Sequence, residues 1–261
     1  MKLDINDLTV EINKNLILDE VSLGVADQEF HILLGPSGCG KSTLLKTIAG
    51  INAAKSGSII IDGELINDIP PHKRGAVIVF QDLRLFPNMT VSENVAYPLR
   101  IRGIKKKERR DEAARYLKSV RLEGFDDRRI SGLSGGQLQR VALARALAAS
   151  PKILLMDEPF SSLDENLRDD MRSLVTDIHE RTGMTIIMVT HDRHEALSMA
   201  DRISLMFDGR IVRTGTPSEV ISRPDDKRVA DYFRNSSHSF WDCSHCQAYR
   251  SHKHIHRLFS I

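Results

Sequence analysis

No stretch of the 261 residues approaches the roughly 18 consecutive apolar residues of a membrane-crossing helix. The first residues, Met1 to Asp7, also lack the basic-then-apolar order of a secretory leader. Any membrane role is therefore expected to be peripheral. An excess of one charge is missing too: 37 Lys plus Arg face 35 Asp plus Glu, so no global field suits the chain for wrapping nucleic acid. Cysteine is scarce. Cys39 falls in a glycine-rich loop, and Cys243 and Cys246 lie near the C-terminus, which implies no disulfide framework and fits a reducing cytosol. What is present, 41% hydrophobic and 28% charged residues, is enough for one large domain, or one domain with a lobe.

Gly35, Pro36, Ser37, Gly38, Cys39, Gly40, Lys41 and Ser42, followed by Thr43, fit the pattern G-x-x-x-x-G-K-[ST]. In that pattern backbone N–H groups wrap phosphates, the lysine reaches the terminal ones, and the hydroxyl binds Mg²⁺. The flanks agree: residues 30–34 read as a buried strand and residues 42–49 as a helix whose positive end faces an anion. Three further β-type runs also close on a polar residue, 76–80 before Gln81, 153–156 before Asp157 and 185–190 before His191. Near-continuous apolar strands belong to parallel sheets covered on both faces, and such sheets collect ligands beyond the carboxyl ends of their strands. The four endings therefore predict one nucleotide site. At the third, the strand-end Asp157 is assigned to Mg²⁺ together with Ser42, which leaves the adjacent Glu158 as general base. Taken alone, Asp157, Glu158 and Pro159 also read as an acidic turn that stops a strand.

A second glycine-rich segment, Leu133, Ser134, Gly135, Gly136 and Gln137, opens a helical pattern. Ser134 and Gln137 have the spacing of a capping box, but capping does not require two glycines. Their usual return is close backbone approach to a ligand, so a second anion site is expected at this helix start.

Together these residues resemble the ATP-binding subunits of ABC transporters over roughly residues 3–234. Residues 35–43 look like the Walker A loop, Gln81 the Q-loop glutamine and residues 133–137 the signature motif. Residues 153–158 look like Walker B with its catalytic Glu158, residues 161–164 the D-loop ending at Asp164, and His191 the switch histidine. The resemblance implies an α/β P-loop NTPase core of RecA-like type, with a parallel sheet, an antiparallel β edge and an inserted helical subdomain. It implies ATP and Mg²⁺ as cofactors and a head-to-tail dimer, with itself or a paired ATPase subunit, in which each ATP lies between one Walker A loop and the other subunit's signature helix. Gln81 then contacts Mg²⁺ and water and relays movement to membrane subunits, His191 contacts the γ-phosphate, and Asp164 communicates across the dimer. The ATP-closed state is favoured because ATP binds it better than the open one.

The family stacks adenine on an aromatic side chain between the first strands, and register places Ile12 there, which removes the π-platform. Residues 83–150 read as the helical subdomain, with a helix over 92–97 and another over 105–120 whose apolar residues are Ala113, Ala114, Tyr116, Leu117 and Val120. The basic run at Lys105, Lys106, Lys107, Arg109 and Arg110 is interrupted by Glu108, Asp111 and Glu112 and reads as a solvated face. Residues 81–87 resemble the version found in bacterial importers of iron, polyamines, sulfate or molybdate, so the groove for the permease's coupling helix is expected here. Those importers commonly append a β-rich regulatory domain. This chain instead continues past a helix start at Thr216, Pro217 and Glu219 into a tail, residues 236–261, rich in cysteine and histidine. Cys243, Cys246 and nearby histidines raise a Zn²⁺ site; the tail lacks an apolar core and is expected to be disordered and dispensable for ATP chemistry.

The expectation is thus an ATP-hydrolysing subunit, residues 1–235, peripheral on the cytoplasmic face of the cell membrane. It would power solute import with separate permease subunits and, indirectly, a solute-binding protein. The alternative is a soluble ABC-type ATPase acting on DNA or ribosomes, which usually inserts coiled coils or zinc modules or joins two ATPase units. A GTPase or small-molecule kinase leaves the second glycine-rich segment unexplained.

Overall fold

The apolar runs that close on polar residues form the middle of one sheet. The computed structural model describes residues 1–222 and 227–234. In it β3 (Phe30–Leu34), β7 (Ile153–Asp157) and β8 (Thr185–Thr190) are buried along their whole length. With β6 (Ala76–Val79), β9 (Arg202–Phe207) and β10 (Arg210–Gly215) they make a six-stranded sheet in the order β10-β9-β3-β8-β7-β6. All neighbours run parallel except β10, which is antiparallel to β9 at the edge. The expected α/β fold is therefore present.

Period-two alternation within these strands feeds two cores, as the pleat requires. Phe30, Ile32, Leu34, Leu154, Met156, Ile186 and Met188 enter one core, together with residues of α2 (Val91–Ile101), α3 (Lys106–Ser119), α4 (Gly135–Ala148), α5 (Glu165–Thr182) and α6 (Arg193–Met199). Leu33, Ile153, Leu155, Ile187 and Val189 enter the other, which α1 (Lys41–Ile48) and a second sheet complete. That sheet is antiparallel, in the order β2-β1-β4-β5, from β1 (Leu3–Ile12), β2 (Asn15–Val25), β4 (Ser56–Ile61) and β5 (Glu64–Leu65). The antiparallel part of the fold is thus larger than an edge. The β1–β2 turn is Asn13 and Lys14, both at positive φ (51° and 67°), the two-residue hairpin geometry whose twist matches the flanking strands.

A polar string also crosses the sheet, buried at Glu29, His31 and Ser204 and open at Thr214. Glu29 Oε1 lies 2.6 Å from His31 Nδ1, His31 Nε2 lies 2.9 Å from Ser204 Oγ, and Ser204 Oγ lies 2.6 Å from Thr214 Oγ1. Burial by itself raises the Glu29 carboxyl pKa, but hydrogen bonds from His31 and the Ala26 N–H hold it below its ordinary value.

Three local expectations are corrected. The helix read over 92–97 extends from Val91 to Ile101 and carries Pro98 inside it. On α3, Ala113 and Leu117 are buried but Ala114 is exposed, because it sits one residue off the inward face. β6 stops at Val79, one residue before Phe80, whose carbonyl accepts a turn bond from the Leu83 N–H. The start of α7 (Pro217–Ser222) forms the expected reciprocal cap, with the Thr216 N–H donating to Glu219 Oε2 at 2.8 Å and the Glu219 N–H to Thr216 Oγ1 at 3.4 Å. Helix α8 (Lys227–Arg234) ends the described residues, so Cys243 and Cys246 lie outside them.

Candidate active site

Residues 35–40 link β3 to α1 in a conformation that glycine makes possible. A Cβ at Gly35 would lie 2.1 Å from the Met206 carbonyl oxygen, and Gly40 caps α1 at φ 104°. The helices α2, α4, α5 and α6 are each capped by a side chain, from Thr90, Ser134, Asp164 and Asp192. Helix α1 has no side-chain cap and no acid in its first turn, so its N–H groups are left for an anion. Lys41 is buried and folds over its own loop, Nζ donating to the carbonyls of Gly35 (2.8 Å) and Pro36 (2.7 Å). The Gly209 N–H ties the loop to the β9–β10 turn by donating to the Cys39 carbonyl at 3.1 Å, while burial pushes the Cys39 thiol pKa up.

Ser42 Oγ donates to Asp157 Oδ1 at 2.6 Å, which brings the end of β7 to the first turn of α1. This pair of hard oxygen donors, beside an uncapped helix start, fits Mg²⁺ and a phosphate chain in both charge and ligand type. Glu158 follows in the left-handed region at φ 45°, its N–H donating to the Val189 carbonyl at 3.0 Å. The bend turns its carboxylate away from Asp157's partner and toward β8, where Oε2 lies 3.2 Å from His191 Nδ1. Strained backbone of this kind persists where the surroundings over-determine it. Gln81 does not join the Ser42–Asp157 pair. Its amide Nε2 donates to Ser161 Oγ at 3.1 Å, and Ser161 Oγ donates to the Glu158 carbonyl at 3.0 Å.

Behind His191 lies a small cleft lined by Glu158, Ser161, Arg168, Thr190, Asp192 and Glu195. Glu195 is 4% exposed; Thr190 Oγ1 donates to its Oε2 at 2.5 Å and Arg172 stands 3.5 Å from its Oε1. Burial holds the Glu195 carboxyl above its ordinary pKa, opposed by the Thr190 hydrogen bond. Arg172 also pairs with Asp192 at 3.3 Å and Asp169 at 2.7 Å, which straps α5 to the start of α6 just beyond His191.

Ser134 and Gln137 bond each other: the Ser134 N–H donates to Gln137 Oε1 at 3.0 Å and the Gln137 N–H to Ser134 Oγ at 3.4 Å. The capping box is therefore real. The glycines inside it are not imposed by packing, since a Cβ at Gly135 or Gly136 would meet its nearest neighbour at 3.8 or 3.4 Å, ordinary contact distances. Gly135 is exposed, while Gly136 is buried beside Leu167.

Arg145, Arg172 and Glu195 belong to no motif in the sequence. Arg145, on α4, donates 2.7 Å hydrogen bonds to the carbonyls of Leu83 and Arg84, two consecutive residues at positive φ (53° and 45°) just after Gln81. Burial pushes its pKa down from the usual guanidinium value. Its sequence signal was a lone cation among Val141, Ala142, Leu143, Ala146 and Leu147. Arg145 also lines a groove of about 210 Å³ with Phe86, Tyr97, Pro98, Ala142 and Ala146.

Ile12 ends β1 opposite Asn15 and is 37% exposed. Strand β2 then passes the phosphate loop, where a Cβ at Gly40 would lie 2.8 Å from Leu18 Cδ2. Ile12→Tyr is expected to tighten ATP binding by at most about 3 kcal/mol, the ceiling for one base–aromatic stack. Calorimetry checks this; an unchanged affinity with the fold intact means that the base lies elsewhere.

A family model described as "ABC transporter" matches residues 18–161. The sn-glycerol-3-phosphate import ATP-binding protein UgpC 1 of Rhizobium johnstonii is 45% identical over 219 residues, 84% of this chain. The chain spans 59% of that relative's length. Among solved structures, a dimeric ATP-binding cassette in a post-hydrolysis state with ADP and Pi is 34% identical with a TM-score of 0.74, covering 82% of this chain and 98% of that one. The structure of cbiO1 from Clostridium perfringens, described as part of an ABC transporter complex, is 30% identical with a TM-score of 0.79, covering 85% of this chain and 91% of that one.

Proposed function

This chain belongs to the ABC transporter family as one of its ATP-binding cassettes, and from that premise we propose that it hydrolyses ATP to power solute import through a permease. The observation that carries the reading is the pair of contacts at the strand ends, Ser42 with Asp157 at 2.6 Å and Glu158 with His191 at 3.2 Å. One carboxylate faces the phosphate loop and the other faces an imidazole. Residues 35–43 hold the phosphates, with Lys41 released from the Gly35 and Pro36 carbonyls to reach them, and Ser42 and Asp157 would hold Mg²⁺; Gln81, bonded to Ser161 here, would turn from it to join them. Mg²⁺ held there would neutralise charge that develops on the phosphates.

Glu158 Oε2 accepts a proton from the attacking water, and His191 orients both Glu158 and the terminal phosphate. Gln81 reaches the same space through Ser161, whose hydroxyl bonds the Glu158 carbonyl. The importer reading is supported by the likeness to the Rhizobium import protein. The groove of Phe86, Tyr97, Pro98 and Arg145 suits an apolar coupling helix from the permease, which keeps the chain peripheral on the cytoplasmic side of the membrane. A solute-binding protein would act only through that permease.

The signature segment completes the site of a second copy or paired subunit. Its cap is self-contained and the exposed Gly135 leaves room for an outside group. Neither Lys41→Ala nor Ser134→Arg homodimers are expected to turn over. A covalently linked dimer with one subunit of each kind is expected to regain one intact composite site and about half of the wild-type activity, if the two sites act independently. Steady-state ATPase rates check this; no return of either activity or ATP-dependent closure would defeat the head-to-tail arrangement.

A further inference from the structure

Helix α8 reaches the switch residue from outside every motif. Val229 is fully buried in the core beneath the helices and anchors α8. One turn on, the Tyr232 hydroxyl donates to the His191 carbonyl at 3.4 Å. The Arg193 guanidinium stands 4.5 Å from the centre of the Tyr232 ring, and Phe207 meets that ring edge-on at 5.6 Å. Residues on both sides of the His191–Asp192 peptide are fixed already, because Thr190 ends β8 and Asp192 caps α6 with bonds to the His194 and Glu195 N–H groups. The His191 side chain is 54% exposed and bonds Glu158, so its reach depends on how the peptide that carries it is held. We propose that Tyr232 is a positioning residue for His191, and that α8 thereby clamps the switch loop and sets the rate of ATP turnover.

The clamp rests on the reading of Glu158 and His191 given above, and it assigns a task to a helix that belongs to no motif. Tyr232 touches neither substrate nor the reacting atoms. Burial raises its phenol pKa, so the hydroxyl stays protonated at neutral pH and acts as a donor. The Arg193 contact adds a cation–π attraction that keeps the ring over the loop. Anything that lifts α8 would then slow hydrolysis without touching the nucleotide.

The test is Tyr232→Phe, which keeps the ring and its packing and removes only the hydroxyl. The expected result is a kcat lowered about threefold to tenfold, the value of one hydrogen bond expressed as a rate, with KM for ATP unchanged and the melting temperature lowered by no more than about 4 °C. In a His191→Ala background the same substitution should cost nothing further in single-turnover assays, because its effect passes through His191. Without nucleotide, amide hydrogen exchange at residues 190–193 should be faster in Tyr232→Phe than in wild type. An unchanged kcat, or an equal loss in the His191→Ala background, overturns the proposal. The exchange measurement separates the two readings: if His191→Ala keeps full turnover the assignment of the site falls, while exchange at 190–193 still decides whether the clamp exists, unchanged exchange overturning it.

Discussion

Glu158→Gln is expected to keep ATP binding and lose at least about 100-fold in turnover, the lower range for removing a general base. The amide retains the size and the His191 contact of the carboxylate but cannot take a proton from water at neutral pH. Glu158 is set apart for this task by its backbone: the left-handed turn at φ 45° and the bond to the Val189 carbonyl direct it to His191, while Asp157 stays with Ser42. With hydrolysis blocked and binding intact, ATP should drive the mutant into a stable dimer, because the ligand stabilises whichever state binds it better. Steady-state rates and size-exclusion chromatography with and without ATP check both halves. Wild-type turnover in the mutant would remove Glu158 from the role.

Arg145→Ala should measurably destabilise the protein although Arg145 belongs to no motif. Its two 2.7 Å bonds hold the Leu83 and Arg84 carbonyls, and the loss of hydrogen bonds to a charged group costs about 1.5–3 kcal/mol each when buried. The bond to Arg84 is exposed and that to Leu83 half-buried, which discounts both. A net loss of about 2–3 kcal/mol lowers the melting temperature of a chain this size by roughly 4–12 °C. The two left-handed residues would lose the guanidinium that holds them in place, so the loop after Gln81 should relax and its link to α4 should fail. Arg145→Lys should recover only part of the stability, since one ammonium cannot reproduce a planar fork that reaches two carbonyls. A melting temperature within 1 °C or so of wild type would mean that the loop is held by its own turn.

Much of this was legible because the chemistry sits at the ends of strands that announce themselves. β3, β7 and β8 are near-continuous apolar runs, and each ends at or next to a residue of the proposed site. The caps at Ser134 and Thr216 were legible for the same reason: they are local, with donor and acceptor three residues apart. Contacts made at long range were not. Arg145 meets residues 61 and 62 positions away and Tyr232 meets one 41 positions away, and no periodicity carries that information. Ala114 was misplaced on the inward face of α3 because an alanine beside Ala113 carries no signal of side. The bend at Glu158 left no trace either, since nothing in an Asp-Glu-Pro turn states which carboxylate looks which way.

The alternation of the central strands has a consequence for how this protein can change. Along β7, Leu154 and Met156 enter the core beneath the helices while Ile153 and Leu155 enter the core beneath the second sheet. The same count that sorts them ends with Asp157 bonded to Ser42. Loss or gain of one residue would swap the two faces and, in the same stroke, hand the contact with Ser42 to the wrong neighbour. Strand length here is therefore a reading frame for the site, and variation has to be pushed into loops and helices, where an added residue does not turn the chemistry over.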